Sequence, residues 1–502
     1  MPARQDVDKT GLVLEVERLA FSYGGEPFFS GLDFQLKPSE HAVIVGGSGS
    51  GKSTLIRLLA ESKMPEISYK DSAKPTMVLQ EGALLDHVSV LGNLQVVARH
   101  HRPNVSAHQI SQVLEDLDIG AGLHRMSVGQ LSGGQARRVA IARALLTHPQ
   151  VMIFDEPDAG LDVVNLNNLA AVVNQLTTQG TACITVSHNP LYIARIATHV
   201  YRLVDGQLKL LKRWSIPADS DKVIRTRQTQ LIDALGEAGK SVNTHNTAPR
   251  FRFKPLLIDW CKGLYELSRN LVQAPRSFTD SLRTLFYGTH LGFISGSLFF
   301  AMVGTMLGAT TLAVVKLLAD SSLTGIVSWF ISPEKLVDLM GGRFALYLAP
   351  AIGAMLFVAR SGSLTANWLG EIVRSKQLQA LKLLDVPTHA YLINPMLIAM
   401  FVSSVATITL FAAAIWVGGV FAATQFFALI DPVSALQINQ ADIQQSEFIF
   451  KTLIYSTIIT FTTTAFAIIQ KRTSKDVNRH TTSAIVYSTM LVALAELLIL
   501  LY

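Results

Sequence analysis

The sequence predicts an α/β P-loop nucleotide-binding domain followed by an all-α polytopic membrane domain of about five transmembrane helices. Three observations predict it. Only 16% of the 502 residues are charged, against about a quarter in soluble chains. The 49% hydrophobic content and mean hydropathy of +0.33 are unevenly spread, with the excess beyond Leu291. The glycine-rich stretch GGSGSGKST stands between a strand-like run and a helical pattern.

That run is His41–Val45, and the helical pattern begins near Thr54, the context a phosphate loop requires. Gly46, Gly47, Ser48, Gly49, Ser50 and Gly51 would turn backbone N–H groups onto phosphates. Lys52 would neutralise the β and γ oxygens and the Ser53 hydroxyl would ligate magnesium. In VMIFDEP, residues 151–157, four apolar residues form a buried strand ending in two acids. Asp155 would hold magnesium, and Glu156 would orient or deprotonate the attacking water. A surface turn with two solvated acids does not suit so apolar a lead-in. A third strand, Ala182–Val186, delivers His188 towards the γ-phosphate, although a lone histidine after a strand is more often structural. A second glycine-rich turn, Leu131, Ser132, Gly133 and Gly134, runs into the helical pattern Gln135–Leu146. It offers N–H groups and a positive dipole end to a phosphate that its own chain does not hold.

Together these motifs resemble the ATP-binding cassette (ABC) domain over about the first 215 residues. Tyr23, the phosphate loop, Gln80 in VLQEGALL, LSGGQ, VMIFDEP, Asp162 in AGLD and His188 in VSH follow one another in the family's order. The resemblance implies ATP and Mg2+ as ligands, adenine stacking on Tyr23, a catalytic and magnesium role for Gln80, and a nucleotide-site role for Asp162. It also implies that LSGGQ of one copy closes over ATP held by the phosphate loop of another, so that two chains are needed. Between Ser53 and Gln80 the chain is shorter than is usual for the family, with SKMPEISYKDSAKP in place of a β-rich insertion.

The two cysteines, Cys183 and Cys261, suggest neither a disulfide framework nor a metal site. MPARQDVDKTG has no apolar core of the secretory kind, so the ATPase domain, residues 1–215, is expected in the cytoplasm. The net charge of +6 is concentrated in a linker, residues 216–254, and in loops between apolar spans, which points to a membrane surface and not to nucleic acid. From 255 to 290, apolar residues interleaved with charges predict interfacial amphipathic helices that do not span.

The membrane domain is expected over 291–502. The predicted spans are Leu291–Val315, Phe344–Ala359 extended by Leu336–Met340, Tyr391–Ile430 with a re-entrant or interfacial piece, Thr452–Gln470 and Thr482–Leu501. Leu323–Ile331 reads as interfacial. Arg360, Arg374, Lys376 and Lys382 in one loop and Lys471, Arg472, Lys475 and Arg479 in another place both inside. Phe421–Glu447 has no Lys or Arg but carries Asp431, Asp442 and Glu447, which places it and the C-terminus outside. Glu496, within the last span, reads as structural because it lies near the outer end. In SKQLQALKLLDVP, Leu378, Leu381 and Leu384 share a helical face that ends at Pro387. This is either a membrane-surface helix or a coupling helix docked on the ATPase.

LAPAIGAMLFVARSGSLTANWLGEIVRSKQLQALKLLDVPTHAYLINP and VNRHTTSAIVYS resemble the MlaE-type permeases of MCE lipid-transport systems, over about Pro255–Tyr502. Asn367 and Trp368 stand where the family has an acid, and Lys376 and Asp385 replace an acid and a glycine. The resemblance implies an ATP-driven lipid transporter, phospholipid in the first instance, of the bacterial inner membrane. It would be a homodimer of fused half-transporters partnered by an extracytoplasmic MCE-domain protein, with room for a small cytoplasmic accessory subunit. The alternatives are an exporter of another hydrophobic cargo, a drug or sterol, and a nucleotide-gated membrane scaffold that transports nothing.

Overall fold

The computed structural model describes residues 11–23, 26–70, 75–80, 82–102, 105–214, 220–237, 256–271, 273–320, 347–426, 445–471 and 473–501. The expected segments Leu323–Ile331 and Leu336–Met340, residues 344–346, Asp431, Asp442, Arg472 and most of the linker lie outside them. The chain forms two compact units, Met1–Phe251 with Ser375–Pro387, and Arg252–Arg374 with Thr388–Tyr502.

Among the described residues the first unit has two sheets. β1 (Leu14–Tyr23) pairs antiparallel with β2 (Glu26–Leu36) and with the three-residue β4 (Ile67–Tyr69). The second sheet has the order β5-β6-β7-β3-β8-β9, from β3 (His41–Val45), β5 (Pro75–Val78), β6 (Val151–Asp155), β7 (Ala182–Val186), β8 (His199–Val204) and β9 (Gln207–Arg213). β5 to β8 and β3 run parallel, and β9 closes the edge antiparallel. β3 and β7 are buried at every position, as strands covered on both faces require. The helices are α1 (Lys52–Glu61), α2 (Val90–His101), α3 (Ala107–Glu115), α4 (Gly133–Leu145), α5 (Val163–Thr178), α6 (Pro190–Ile196) and α7 (Asp221–Glu237). α7 falls where a polar tether was expected. Ile224 and Leu231 on one face are buried, Ile224 packs against Ala194 of α6, and the Arg227 guanidinium lies 4.9 Å from the Trp214 ring.

The second unit is helical: α8 (Leu256–Asn270), α9 (Phe278–Thr289), α10 (Ser297–Asp320), α11 (Ala349–Phe357), α12 (Ser363–Arg374), α13 (Asn394–Phe421), α14 (Gln445–Ile468) and α15 (Ser474–Leu501). Among the described residues four helices are long and apolar enough to cross a membrane: Phe278–Val314, His389–Gln425, Ser446–Ile468 and Ser474–Leu501. The first corrects the boundary read at Leu291, because α9 continues through the π turn His290–Ile294 into α10 instead of standing apart as an interfacial helix. The described part of the expected Phe344–Ala359 span passes through another π turn, Val358–Gly362, into α12. α10 and α13 approach closely through small residues; a methyl group at Gly308 would overlap the Ile415 carbonyl. Lys471 caps the end of α14, donating to the carbonyls of Phe466 and Ile469 at 3.1 Å each.

Candidate active site

Strand order sets three loops side by side at the carboxyl edge of the larger sheet, where parallel sheets hold ligands. β3 leads into the phosphate loop, its neighbour β7 into His188, and β6 on the far side of β7 into Glu156.

Gly51 caps α1 with φ 99°, a left-handed conformation that favours glycine, and a side chain there would overlap the Phe28 ring. Gly47, Ser48 and Gly49 are exposed, with Gly46 and Ser50 half-buried behind them. Lys52 is buried, and its Nζ donates to the Gly46 and Gly47 carbonyls at 2.9 Å each. Burial lowers its pKa, and Glu156 and Asp155 oppose that. The Ser50 hydroxyl is buried with no hydrogen-bond partner. A cation folded back on its own loop and an orphaned hydroxyl fit an anion whose oxygens would engage both. Ser53 is exposed on the first turn of α1 and Thr54 follows it.

Asp155 ends β6; burial raises its pKa, while the cations Lys376, Arg57 and Lys52 pull it down. A partly desolvated carboxylate near the phosphate loop, with the Ser53 hydroxyl, fits a divalent cation. Glu156 takes φ 46°, tied by its N–H to the Val186 carbonyl at 3.0 Å. Its carboxylate receives Gln80 Nε2 at 3.0 Å and lies 3.6 Å from His188 Nε2. Gln80, Glu156 and His188, far apart in sequence, therefore converge on one carboxylate. Tyr23 ends β1 paired with Glu26, and its side chain lies outside the described residues.

The second glycine turn sits at the head of α4. Ser132 Oγ accepts from the Gln135 N–H at 3.2 Å while Gln135 Oε1 accepts from the Ser132 N–H at 2.9 Å, a capping box. Leu131 is half-buried, Ser132 and Gly133 face solvent, and Gly134 is buried beside Asn165. Asp162 caps α5, accepting from the Asn165 N–H at 2.8 Å and its side-chain amide at 3.0 Å. Sequence reading missed Asn165, which joins Asp162 to Gly134, although it lies three residues after a capping acid. It also missed Asp158, the third acid of DEPD, which accepts from Ser187 Oγ at 2.9 Å and so ties the β6 and β7 loops.

Residues 375–387 belong to the ATPase unit. The helix Gln377–Leu383 starts after Lys376 at φ 60°. Gln377, Ala380, Leu381 and Leu384 are buried, and Ala380 enters the same core as Leu59 and Met77. The expected face of Leu378, Leu381 and Leu384 is corrected at one position: Leu378 is only half-buried, and the inward row runs through Gln377. Gln377 Nε2 donates to Asp86 Oδ2 at 2.7 Å, and His101 Nε2 lies 2.8 Å from the Leu384 carbonyl. Gln377 went unread because a polar residue on an otherwise leucine-rich face carries no periodic signal, and Asp86 and His101 because their partners lie 291 and 283 residues away.

The ABC transporter family model matches residues 29–159, and the permease MlaE model matches residues 281–502. The intermembrane phospholipid transport system ATP-binding protein MlaF of Haemophilus influenzae is 26% identical over 276 residues, covering 51% of this chain and 98% of that protein. Its Escherichia coli K12 counterpart is 27% identical over 216 residues, covering 39% and 80%. The aliphatic sulfonates import ATP-binding protein SsuB 1 of Nocardia farcinica is 30% identical over 233 residues, covering 45% and 94%. An assembled cassette ATPase site in the first unit and a permease match across the second make this chain a member of the ABC transporter family, an ATP hydrolase whose cassette is fused to an MlaE permease.

Proposed function

We propose that this protein is an ATP-driven phospholipid transporter of the bacterial inner membrane, working as a homodimer with an extracytoplasmic MCE-type partner. The observation that carries the reading is the seat of the Gln377–Leu383 helix. A segment from the permease half of the sequence lies in the ATPase core and bonds Asp86, on the loop that begins at Gln80. The names of the MlaF relatives and the MlaE match support phospholipid as cargo. Loop charge supports a cytoplasmic ATPase and an external C-terminus.

In this reading Lys52 leaves the Gly46 and Gly47 carbonyls to hold the β and γ oxygens, with the N–H groups of Gly46–Gly51 around them. Magnesium, held by Ser53 and Asp155 with Gln80, would supply charge neutralisation at the phosphates. Glu156 orients the attacking water, with Gln80 and His188 fixing its carboxylate. Tyr23 stacks on adenine. Ser132, Gly133, Gly134, Gln135 and Asp162 close over the ATP of the second copy. Two acyl chains of about 30 methylenes at ~0.8 kcal/mol each would cost roughly 24 kcal/mol in water, so cargo must travel in a shielded apolar conduit.

The test is reconstitution of the full chain in liposomes with labelled phospholipid. ATP-dependent movement is expected, and Glu156→Gln should bind ATP yet lose hydrolysis by about 10²–10⁴-fold and flux with it. ATP turnover that never moves phospholipid, with or without an MCE-type partner, would overturn the reading. A Glu156→Gln chain that keeps full biological function would favour the scaffold instead.

A further inference from the structure

The helix Phe278–Val314 contains the π turn His290–Ile294, and the π turn Val358–Gly362 joins α11 to α12. Each turn falls near the middle of its helix, Arg360 standing midway between Tyr347 and Arg374, and the two turns touch. Turns of this kind inside helices are frequent at functional sites. Arg360 belongs to the second turn. Its Nη2 donates to the Ser295 carbonyl, one residue past the first turn, at 2.5 Å, and its Nη1 stands 3.5 Å from Ser361 Oγ. Its Cζ lies 5.9 Å from the centre of the Phe299 ring and 5.9 Å from that of Phe300. A side chain at Gly296 would overlap Nη1, so the glycine leaves the space that the guanidinium fills. Among the described residues no carboxylate lies within ion-pair distance of it. Arg360 is half-buried, and Leu298 and Leu364 on the same two helices are exposed.

A guanidinium is always charged and carries five N–H donors in a planar fork. The Ser295 carbonyl engages one of them and Ser361 at most a second. A neutral amide would satisfy that carbonyl without bringing a full charge among apolar helices, where arginine is rare and pairs with an anion or faces a polar cavity. What remains is a positive charge with unused donors beside exposed apolar side chains. An anion with two oxygens to match the fork and an apolar remainder completes it, and the phosphodiester of a phospholipid has both.

We propose that Arg360 binds the phosphodiester of a phospholipid headgroup at the meeting of the two π turns. This rests on the transport reading only for the lipid being cargo; binding itself does not require transport. The test titrates the full chain in detergent, as parent and as Arg360→Gln, Arg360→Lys and Gly296→Ala, and reads lipid bound per chain by native mass spectrometry. The probes are dioleoylphosphatidylglycerol, dioleoylphosphatidylethanolamine and dioleoylglycerol. The first two share a phosphodiester and differ in net charge, and the third has the same chains without phosphate. The parent should bind the two phospholipids within about threefold of one another and dioleoylglycerol about tenfold more weakly, as loss of a charge-assisted hydrogen bond predicts. Arg360→Gln should bring phospholipid down to the level of dioleoylglycerol, and Arg360→Lys, which keeps the charge without the fork, should fall between. Gly296→Ala keeps Arg360 but takes the space of Nη1, so it should weaken phospholipid alone. It also decides the case if Arg360→Gln does not fold, as the thermal midpoint will show. A phospholipid preference that survives Arg360→Gln, or Gly296→Ala in its place, overturns the site. So does a parent that binds all three lipids alike, which would hand the guanidinium to another anion such as a carboxylate of a second copy. Excess inorganic phosphate should not displace phospholipid from the parent; displacement would assign the site to the free ion and overturn the headgroup. A parent that hydrolyses ATP in liposomes without moving labelled phospholipid overturns the transport reading alone, and the titration still decides the site.

Discussion

Gly51 shows how little freedom the phosphate loop has. Its φ of 99° and the Phe28 ring beside it leave no place for a methyl group. Gly51→Ala should cost roughly 1–3 kcal/mol of stability and weaken ATP binding, measured by urea unfolding and nucleotide titration. Unchanged values for both would mean that the loop relaxes around the substitution. Residues of this kind were legible: Lys52, Ser53, Asp155, Glu156 and His188 are announced by apolar strands that end in polar turns. Asp158 was not: its partner Ser187 lies 29 residues away and is brought near only by folding, and short-range sequence holds no trace of such a partner.

At the scale of elements, α14 and α15 are joined by charge. Lys451, fully buried, lies 3.0 Å from Glu496 and 3.2 Å from Glu447, and Tyr455 donates to the second Glu496 oxygen. Glu496, expected to be structural from its place near the end of a span, is held by Lys451 and Tyr455 of α14. The pairing was hidden because hydropathy starts the span at Thr452, one residue too late to include Lys451. Lys451→Met should destabilise the permease unit by about 1–3 kcal/mol, because it leaves the mostly buried Glu496 carboxylate without its cation. Lys451→Met with Glu496→Gln should recover much of that, read as the thermal midpoint in nanodiscs; a double variant no better than the single would remove the pair from the account. Periodicity found most helices here but misjudged where they stop. α7 looked like tether because only Ile224 and Leu231 mark its inner face, and α9 merged with α10 because a π turn carries a helix across a polar stretch without ending it.

For the whole molecule, the division into a soluble unit and an apolar helical unit was legible from composition, whereas the cassette and its two-chain assembly were legible only through the motifs and the family they resemble. If ATP lies between two copies, complementary defects should rescue one another. Lys52→Ala and Ser132→Arg chains should each be inactive alone. Mixed dimers would contain one site with both lesions and one with neither, so a randomly assorted mixture should regain about a quarter of parental hydrolysis. A mixture as inactive as its components would mean that each chain completes its own site. The seat of Ala380 has an outcome for the fused polypeptide as well. Because thirteen later residues, Ser375–Pro387, are packed as part of the earlier unit, the cassette is finished only after the ribosome has made the first helices of the permease unit, α8 to α12. Severed upstream of them it would keep an uncovered trough beside Leu59 and Met77. Joining the two halves in one gene product guarantees that the plug for this trough is always made in equal number with the domain it completes.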